Sequence, residues 1–274
     1  YIYEGQRWAE AALQNRKGVD SSVVARLLSA AGMFSMLMTD HTKAVVYFEQ
    51  CLEHCAHSDE AQVLGMVHNN LGNTYSDTGK RDLASPHYYR ALEHARQYQQ
   101  KDVIARVLSN LGGVATEAHR FEEGLRYYQE SVEIRREIQD MRGVAFIEMC
   151  LGVSEQGRKR YPEALEHYKK ALSEYHSLGD IYNTCLCINY VIHLFAETRQ
   201  AEIAIMLQSA LKVLLKQHQV KLPLAIGTTL DAELAPCFQS LTPKQYEQLS
   251  MEGSGWTLEQ TVEHIYTTAL TDTP

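Results

Sequence analysis

Cys51, His54, Cys55 and His57 are the residues that most invite chemistry. Cys51 and Cys55 stand at i and i+4, on one face of a helix, with His54 beside them, and thiolates and imidazoles at such spacing could hold a zinc-like metal. A packing reading competes and is the stronger. Cys51 falls in a position that Ala91 and Ala171 occupy elsewhere in the chain, and Cys55 lies one turn further along the same stripe. Small sulfur side chains on a buried stripe are core residues, so neither a metal nor another cofactor is expected. Cys185 and Cys187, two apart on a predicted helix, face different ways and cannot chelate together.

The remaining candidates for catalysis are thin. His87 and His167 recur 40 residues apart, in phase with Tyr47 and Tyr127, which marks a structural slot between helices. No Ser, His and acid grouping at local spacing argues for nucleophilic catalysis. The phosphate loop G-x-x-x-x-G-K-[ST] does not occur in the sequence, so ATP hydrolysis is not assigned to it. A non-enzymatic chain is the expectation.

The elements behind these residues repeat. Gly32, Gly72, Gly112 and Gly152 stand 40 residues apart, and so do Trp8, Phe48, Tyr88, Tyr128 and Tyr168. Three positions after each ring comes a small residue: Ala11, Cys51, Ala91, Ser131 and Ala171. Self-similarity at a fixed period is the signature of a stacked repeat array, in which each unit packs on its neighbours and no central core is required. A helix-interior Gly costs about 1 kcal/mol relative to Ala, so four in register imply a partner helix too close for a Cβ. Each unit is two antiparallel helices. In one unit, helix A is predicted over 61–77 and helix B over 82–98, joined at Thr78-Gly79-Lys80 with Gly79 as the left-handed cap. Pro86 is expected near the first turn of helix B, where its missing amide matters little.

Leu71-Gly72, Tyr75, Ala84, Tyr88 and Ala91, echoed by Leu111-Gly112 with Tyr128 and by Leu151-Gly152 with Ala164, Tyr168 and Ala171, resemble the tetratricopeptide (TPR) signature. The usual unit is about 34 residues, and here six more lengthen the helices. The resemblance implies an all-α fold, a right-handed α-α superhelix of about 40-residue helix-turn-helix units. The unit near 181–217 keeps Asn189 and Ala210 but has Tyr190-Val191 where Leu-Gly is expected, and reads as a degenerate terminal repeat.

The ends sharpen the division. Residues 1–18 read as a half repeat holding helix B alone, residues 19–218 as the array of about five units, and 219–274 as a helical C-terminal cap. In the cap, Thr242-Pro243-Lys244-Gln245 and Thr257-Leu258-Glu259-Gln260 form two capping boxes. An array starting in mid-repeat, without an initiating Met, reads as part of a longer polypeptide. "EGQRWAEAAL" near the start and "GSGWTLEQTVEHIYTTAL" near the end are similar to the C-terminal TPR region of bacterial STAND-type ATPases and LuxR-type transcriptional regulators. That resemblance implies a sensory, partner-binding arm of a signalling protein. The alternative is an autonomous scaffold or self-association module without a ligand switch.

The TPR pattern places Asn69, Asn73, Asp77, Arg106, Asn110, Thr116 and Glu117 on the concave face lined by A helices. Asn both donates and accepts, so it can hold an extended peptide backbone irrespective of sequence. Asn70 is as readily a satisfied interhelical residue as a ligand contact. Asn73 and Asn110 match the paired Asn of a carboxylate-gripping TPR groove, but the accompanying lysines do not, which puts such a clamp in doubt. The expected partner is a protein or peptide, including another domain of the same parent chain, and a homo-oligomer is an option.

Composition excludes some classes. Lys and Arg number 26 against 34 Asp and Glu, a net charge of −8, which disfavours a nucleic-acid surface. No apolar run approaches the roughly 18 residues of a membrane span, and no signal-peptide pattern opens the sequence. Six Cys without framework spacing fit reduced thiols, and a cytoplasmic setting is expected.

Overall fold

The computed structural model describes residues 1–55, 61–222, 234–235 and 238–270. Among these the chain is all helix, with thirteen helices and no strand. They are α1 (Ile2–Gln14), α2 (Ser21–Leu37), α3 (His41–Cys55), α4 (Ala61–Asp77), α5 (Arg81–Gln97), α6 (Lys101–Glu117), α7 (Phe121–Glu137), α8 (Met141–Gly157), α9 (Tyr161–Ser177), α10 (Ile181–Glu197), α11 (Ala201–Gln217), α12 (Pro243–Ser254) and α13 (Leu258–Thr267). From α2 to α11 successive helices start 20 residues apart, so each 40-residue unit is an A–B hairpin. The helices form two compact units, residues 1–138 and 139–274.

Eight of the helices stop in the same way. After α4 the Lys80 N–H donates to the Tyr75 carbonyl (2.8 Å) and the Gly79 N–H to that of Ser76 (2.9 Å), the paired bonds of a Schellman cap. Equivalent pairs close α2, α5, α6, α8, α9, α10 and α11. The cap needs a left-handed residue, which Gly79 and Gly179 supply, while Thr39, Gln99, His119, Lys159, Arg199 and Gln219 adopt φ of 53–62° with a side chain attached.

Within the four hairpins from α2–α3 to α8–α9 the ring of helix B fills the space left by the Gly of helix A. A Cβ built on Gly32, Gly72, Gly112 or Gly152 would lie 2.5 Å from the ring of Phe48, Tyr88, Tyr128 or Tyr168, each at most 3% exposed. The close approach is therefore to an aromatic ring rather than to a backbone. Beside it the small residues meet: the Cys51 Sγ reaches the Ala25 carbonyl at 3.1 Å, and the Ser131 Oγ donates to that of Ala105 at 2.7 Å.

Three expectations need correction. Trp8 holds the ring slot by register, yet it is 71% exposed, because no described helix presents a Gly over it. Pro86 lies within the second turn of α5, which starts at Arg81, and the helix continues through it with one amide bond fewer. In the last hairpin, α10–α11, the register places Val191 and Ile192, rather than Tyr190 and Val191, in the Leu-Gly slot. There the Gly and its ring are exchanged for Ile192 and Gln208, both buried, which moves bulk from one helix to the other.

The unit of residues 139–274 has its core around Tyr168, Tyr175, Ile188 and Phe195, joined by Val262 and Ile265 of α13. Both capping boxes form, at Thr242 with Gln245 and at Thr257 with Gln260. Helix α12 packs on α11, and α13 touches α9 and α11. The Tyr266 hydroxyl donates to the Lys169 carbonyl (2.7 Å), and the Lys169 Nζ donates to that of Thr268 (3.1 Å).

Candidate functional site

In the unit of residues 1–138 the A helices α2, α4 and α6 touch one another in sequence as well as pairing with their B helices. Their common face carries the residues expected to bind. Asn110 of α6 donates through Nδ2 to Asn69 Oδ1 (2.9 Å) and Asn73 Oδ1 (2.8 Å) of α4, and the Tyr88 hydroxyl of α5 donates to the same Asn73 oxygen (2.9 Å). Burial pushes the Tyr88 phenol above its ordinary pKa, and the Asp77 and Glu117 carboxylates add to the shift, so Tyr88 remains a donor. Asn69 is only 2% exposed, so it reaches the face through Asn110 rather than directly, while Asn73 and Asn110 are half-buried. Asn70 is buried, with its Oδ1 3.5 Å from Asn69 Nδ2.

The other four expected residues surround this network. Arg106 is exposed and paired with Asp102 one turn away at 3.1 Å. Asp77 and Glu117 stand exposed at the ends of α4 and α6, with Glu117 held by Arg81 at 2.7 Å. Thr116 is half-buried, its Oγ1 lying 2.7 Å from where a Cβ on Gly124 would be.

Eighty residues later the same slots have different occupants. Asn73, Asp77, Asn110 and Thr116 are replaced by Val153, Gly157, Tyr190 and Ala196, and the place of the amide network is taken by a cavity of about 990 Å³. The Tyr190 ring stacks on Tyr168, with centroids 6.0 Å apart. The Tyr168 hydroxyl donates to Gln156 Oε1 (2.9 Å), and the Gln156 Nε2 donates to Glu197 Oε2 (2.9 Å). The Tyr161 hydroxyl takes the other Glu197 oxygen at 3.1 Å. Leu234 and Ser240, from the segment after α11, close one side. Sequence reading missed this cavity, although the 80-residue shift from polar to apolar at four face positions announces it.

The thiols and imidazoles are used in packing. Cys51 and Cys55 are buried 4.0 Å apart, and the His54 Nδ1 lies 3.0 Å from the Ser21 Oγ; His57 is outside the described residues. Burial pushes the Cys185 thiol up to about 11 and raises Cys187 further. His87 and His167 both reach across to helix A: His87 Nδ1 is 3.0 Å from His68 Nδ1, and His167 Nδ1 is 2.8 Å from Glu148 Oε2. Among the described residues no three His, Cys, Asp or Glu side chains converge to hold a metal ion, and no helix is long and apolar enough to cross a membrane.

A family model described as tetratricopeptide repeat matches residues 23–97 and 103–173, together more than half of the chain. No curated protein matches it. Among solved structures, BtubC from P. vanneervenii is similar with a TM-score of 0.62 at 14% identity, over 93% of either chain. A Rap protein complexed with competence and sporulation factor follows at 0.60 and 13%, covering 94% of this chain and 79% of that one. The apo form of RapI aligns at 0.63 and 13%, covering 89% and 79%. At these identities the likeness is one of fold.

Proposed function

We propose, from the premise that this chain belongs to the tetratricopeptide repeat family, that it is a protein- or peptide-binding module whose A-helix face holds the partner. One observation carries the reading. The ring, Gly and small-residue slots behind the face are nearly constant through the four units of Gly32 to Gly152, whereas the face slot next to that Gly runs Met33, Asn73, Gly113 and Val153 in the same units. Positions released from packing and diversified unit by unit suit recognition, with Asn73, Asp77, Arg106, Asn110, Thr116 and Glu117 offering hydrogen bonds and charge and Asn69 bracing them.

In the finer reading the module is the cytoplasmic sensory arm of a larger bacterial signalling or transcription-regulating protein. Support comes from the resemblance of the end motifs to STAND-type and LuxR-type proteins, and from a fold shared with a Rap protein solved with competence and sporulation factor. Partner binding would then shift an equilibrium between two states of the parent by differential affinity. The role is one of binding rather than catalysis.

The test is capture of partners from bacterial lysate on the intact chain, compared with Asn73→Ala and Arg106→Ala, and with Glu130→Ala and Lys170→Ala on the B helices. Loss of a captured partner in the first pair alone is expected. A partner that depends on the second pair and ignores the first refutes the face assignment. A self-associating scaffold is the second reading, favoured by Tyr1, Ile2, Tyr3 and Trp8 exposed together along α1. It requires a mass in size exclusion that rises with concentration and falls in Trp8→Ala.

A further inference from the structure

Resting on that reading, we infer that the cavity between α8 and α10 is a second, separate recognition site, which takes a short acidic peptide by inserting its apolar side chains and pairing its carboxylate at the rim.

The floor is apolar where the equivalent face in the other unit is amide. Val153 and Ala196 line it with methyl groups, Gly157 contributes no side chain, and the stacked rings of Tyr168 and Tyr190 supply a flat wall. A volume of about 990 Å³ is at the upper end for a small-molecule pocket and accommodates several side chains. Burial raises the pKa of both tyrosines, which keeps the wall neutral.

The rim sets the charge. Lys159 and Arg199 line it from equivalent positions of successive A–B turns, both exposed at left-handed φ. Among the described residues the one carboxylate that lines the cavity, Glu197, is already engaged by Gln156 and Tyr161. Neither cation is tied to it, so the positive rim is open to a ligand carboxylate, in a chain whose net charge is otherwise −8. The equivalent turn positions in the other unit are Thr39, Gly79 and His119, none of them Lys or Arg.

Selection from a random heptapeptide library with free C-termini, on the intact immobilised chain at pH 7.5, tests the assignment. The expected winners carry aliphatic or aromatic residues together with Asp, Glu or a required terminal carboxylate. Their affinity should fall tenfold or more in Lys159→Glu/Arg199→Glu. It should fall similarly in Gly157→Asp, which installs the carboxylate of the Asp77 slot in the cavity, and stay unchanged in Asn73→Ala. Melting curves of each variant separate lost binding from lost folding, and rescue of basic peptides by the charge-reversed rim would confirm the pairing. Winners that are neutral or basic, or that ignore both cavity variants, overturn the inference, as does recovery of no peptide. Winners abolished by Asn73→Ala and Arg106→Ala instead would leave the face reading intact and remove the cavity from it.

Discussion

The ring of Tyr128 occupies the place a side chain on Gly112 would take: a Cβ there would stand 2.5 Å from its Cε1 and 2.7 Å from its Cδ1. The same pairing joins Gly32 to Phe48, Gly72 to Tyr88 and Gly152 to Tyr168, so one steric relationship sets the hairpin spacing in four units.

Gly112→Ala should therefore destabilise the array although it improves helix propensity. Overpacking a well-filled contact costs about 1–3 kcal/mol and outweighs the gain of about 1 kcal/mol from replacing a helical Gly. Combining it with Tyr128→Leu, which opens the space, should recover part of the loss. Thermal melts of the two single variants and the double give the coupling, and additivity would refute the contact.

The turns offer the opposite sign. Gln99 is exposed and sits at φ 53°, a conformation that disfavours a side chain by about 1–2 kcal/mol. Gln99→Gly should raise the melting temperature and Gln99→Val lower it. If both variants melt together with the parent, the left-handed assignment fails.

The 40-residue period made the hairpins legible, because Gly, ring and small residue recur at fixed offsets and each is demanded by packing. The bounds of α4 and the left-handed Gly79 followed from the same signals. Trp8 was misplaced because register states which slot a residue fills but not whether a helix covers it. The face was read only in part. Asn73 and Asn110 were seen as free hydrogen-bonding groups, whereas 2.8 Å separates them and they bind each other. That pairing depends on the approach of α4 to α6, which side-chain type alone does not specify. The cavity went unread because it is made by what is missing: Gly157 and Val153 attract no notice until set against Asp77 and Asn73.

Acid should loosen the α4–α5 hairpin. Burial, together with the nearby His87, His94 and Arg90, pushes His68 down to about 4, and burial lowers His87 too. An unfolded His titrates near 6.5, so the fold favours the neutral form; the stability it contributes is full above pH 6.5 and drains away as pH falls towards 4. The melting temperature should drop between pH 7 and pH 5, and by less in His68→Leu, which installs the residue found in this slot as Leu28 and Leu108. An identical drop in the variant would assign the acid sensitivity elsewhere.

Gly253 of α12 approaches the Met206 carbonyl of α11 so closely that a Cβ would lie 2.0 Å from the oxygen. Backbone cannot yield as a ring can, so Gly253→Ala should detach α12 rather than merely strain it. Hydrogen exchange should then show lost protection across 243–254 with α4 to α7 unaffected. Retained protection there would show that the crossing is looser than this.

Asn110 is where binding and folding meet. Its Nδ2 supplies the hydrogen bond to Asn69 Oδ1, an atom of a residue 2% exposed, while the second acceptor, Asn73, is half-buried and within reach of water. Removing the donor strands the buried oxygen, at a cost of about 1–3 kcal/mol, whereas removing Asn73 leaves Asn110 its bond to Asn69 and Tyr88 its bond to Ser76, at less expense. Asn110→Ala should lower the melting temperature clearly, Asn73→Ala slightly, and Arg106→Ala, whose ion pair with Asp102 is exposed at both ends, scarcely at all. Arg106 and Asn73 are thus clean probes of partner affinity, and an affinity lost only in Asn110→Ala would report a distorted face. Asn69→Leu in the Asn110→Ala background should restore part of the stability by removing the stranded acceptor. If it instead deepens the loss, the Asn69 oxygen is satisfied by something other than Asn110, and the bracing role assigned to this pair is wrong.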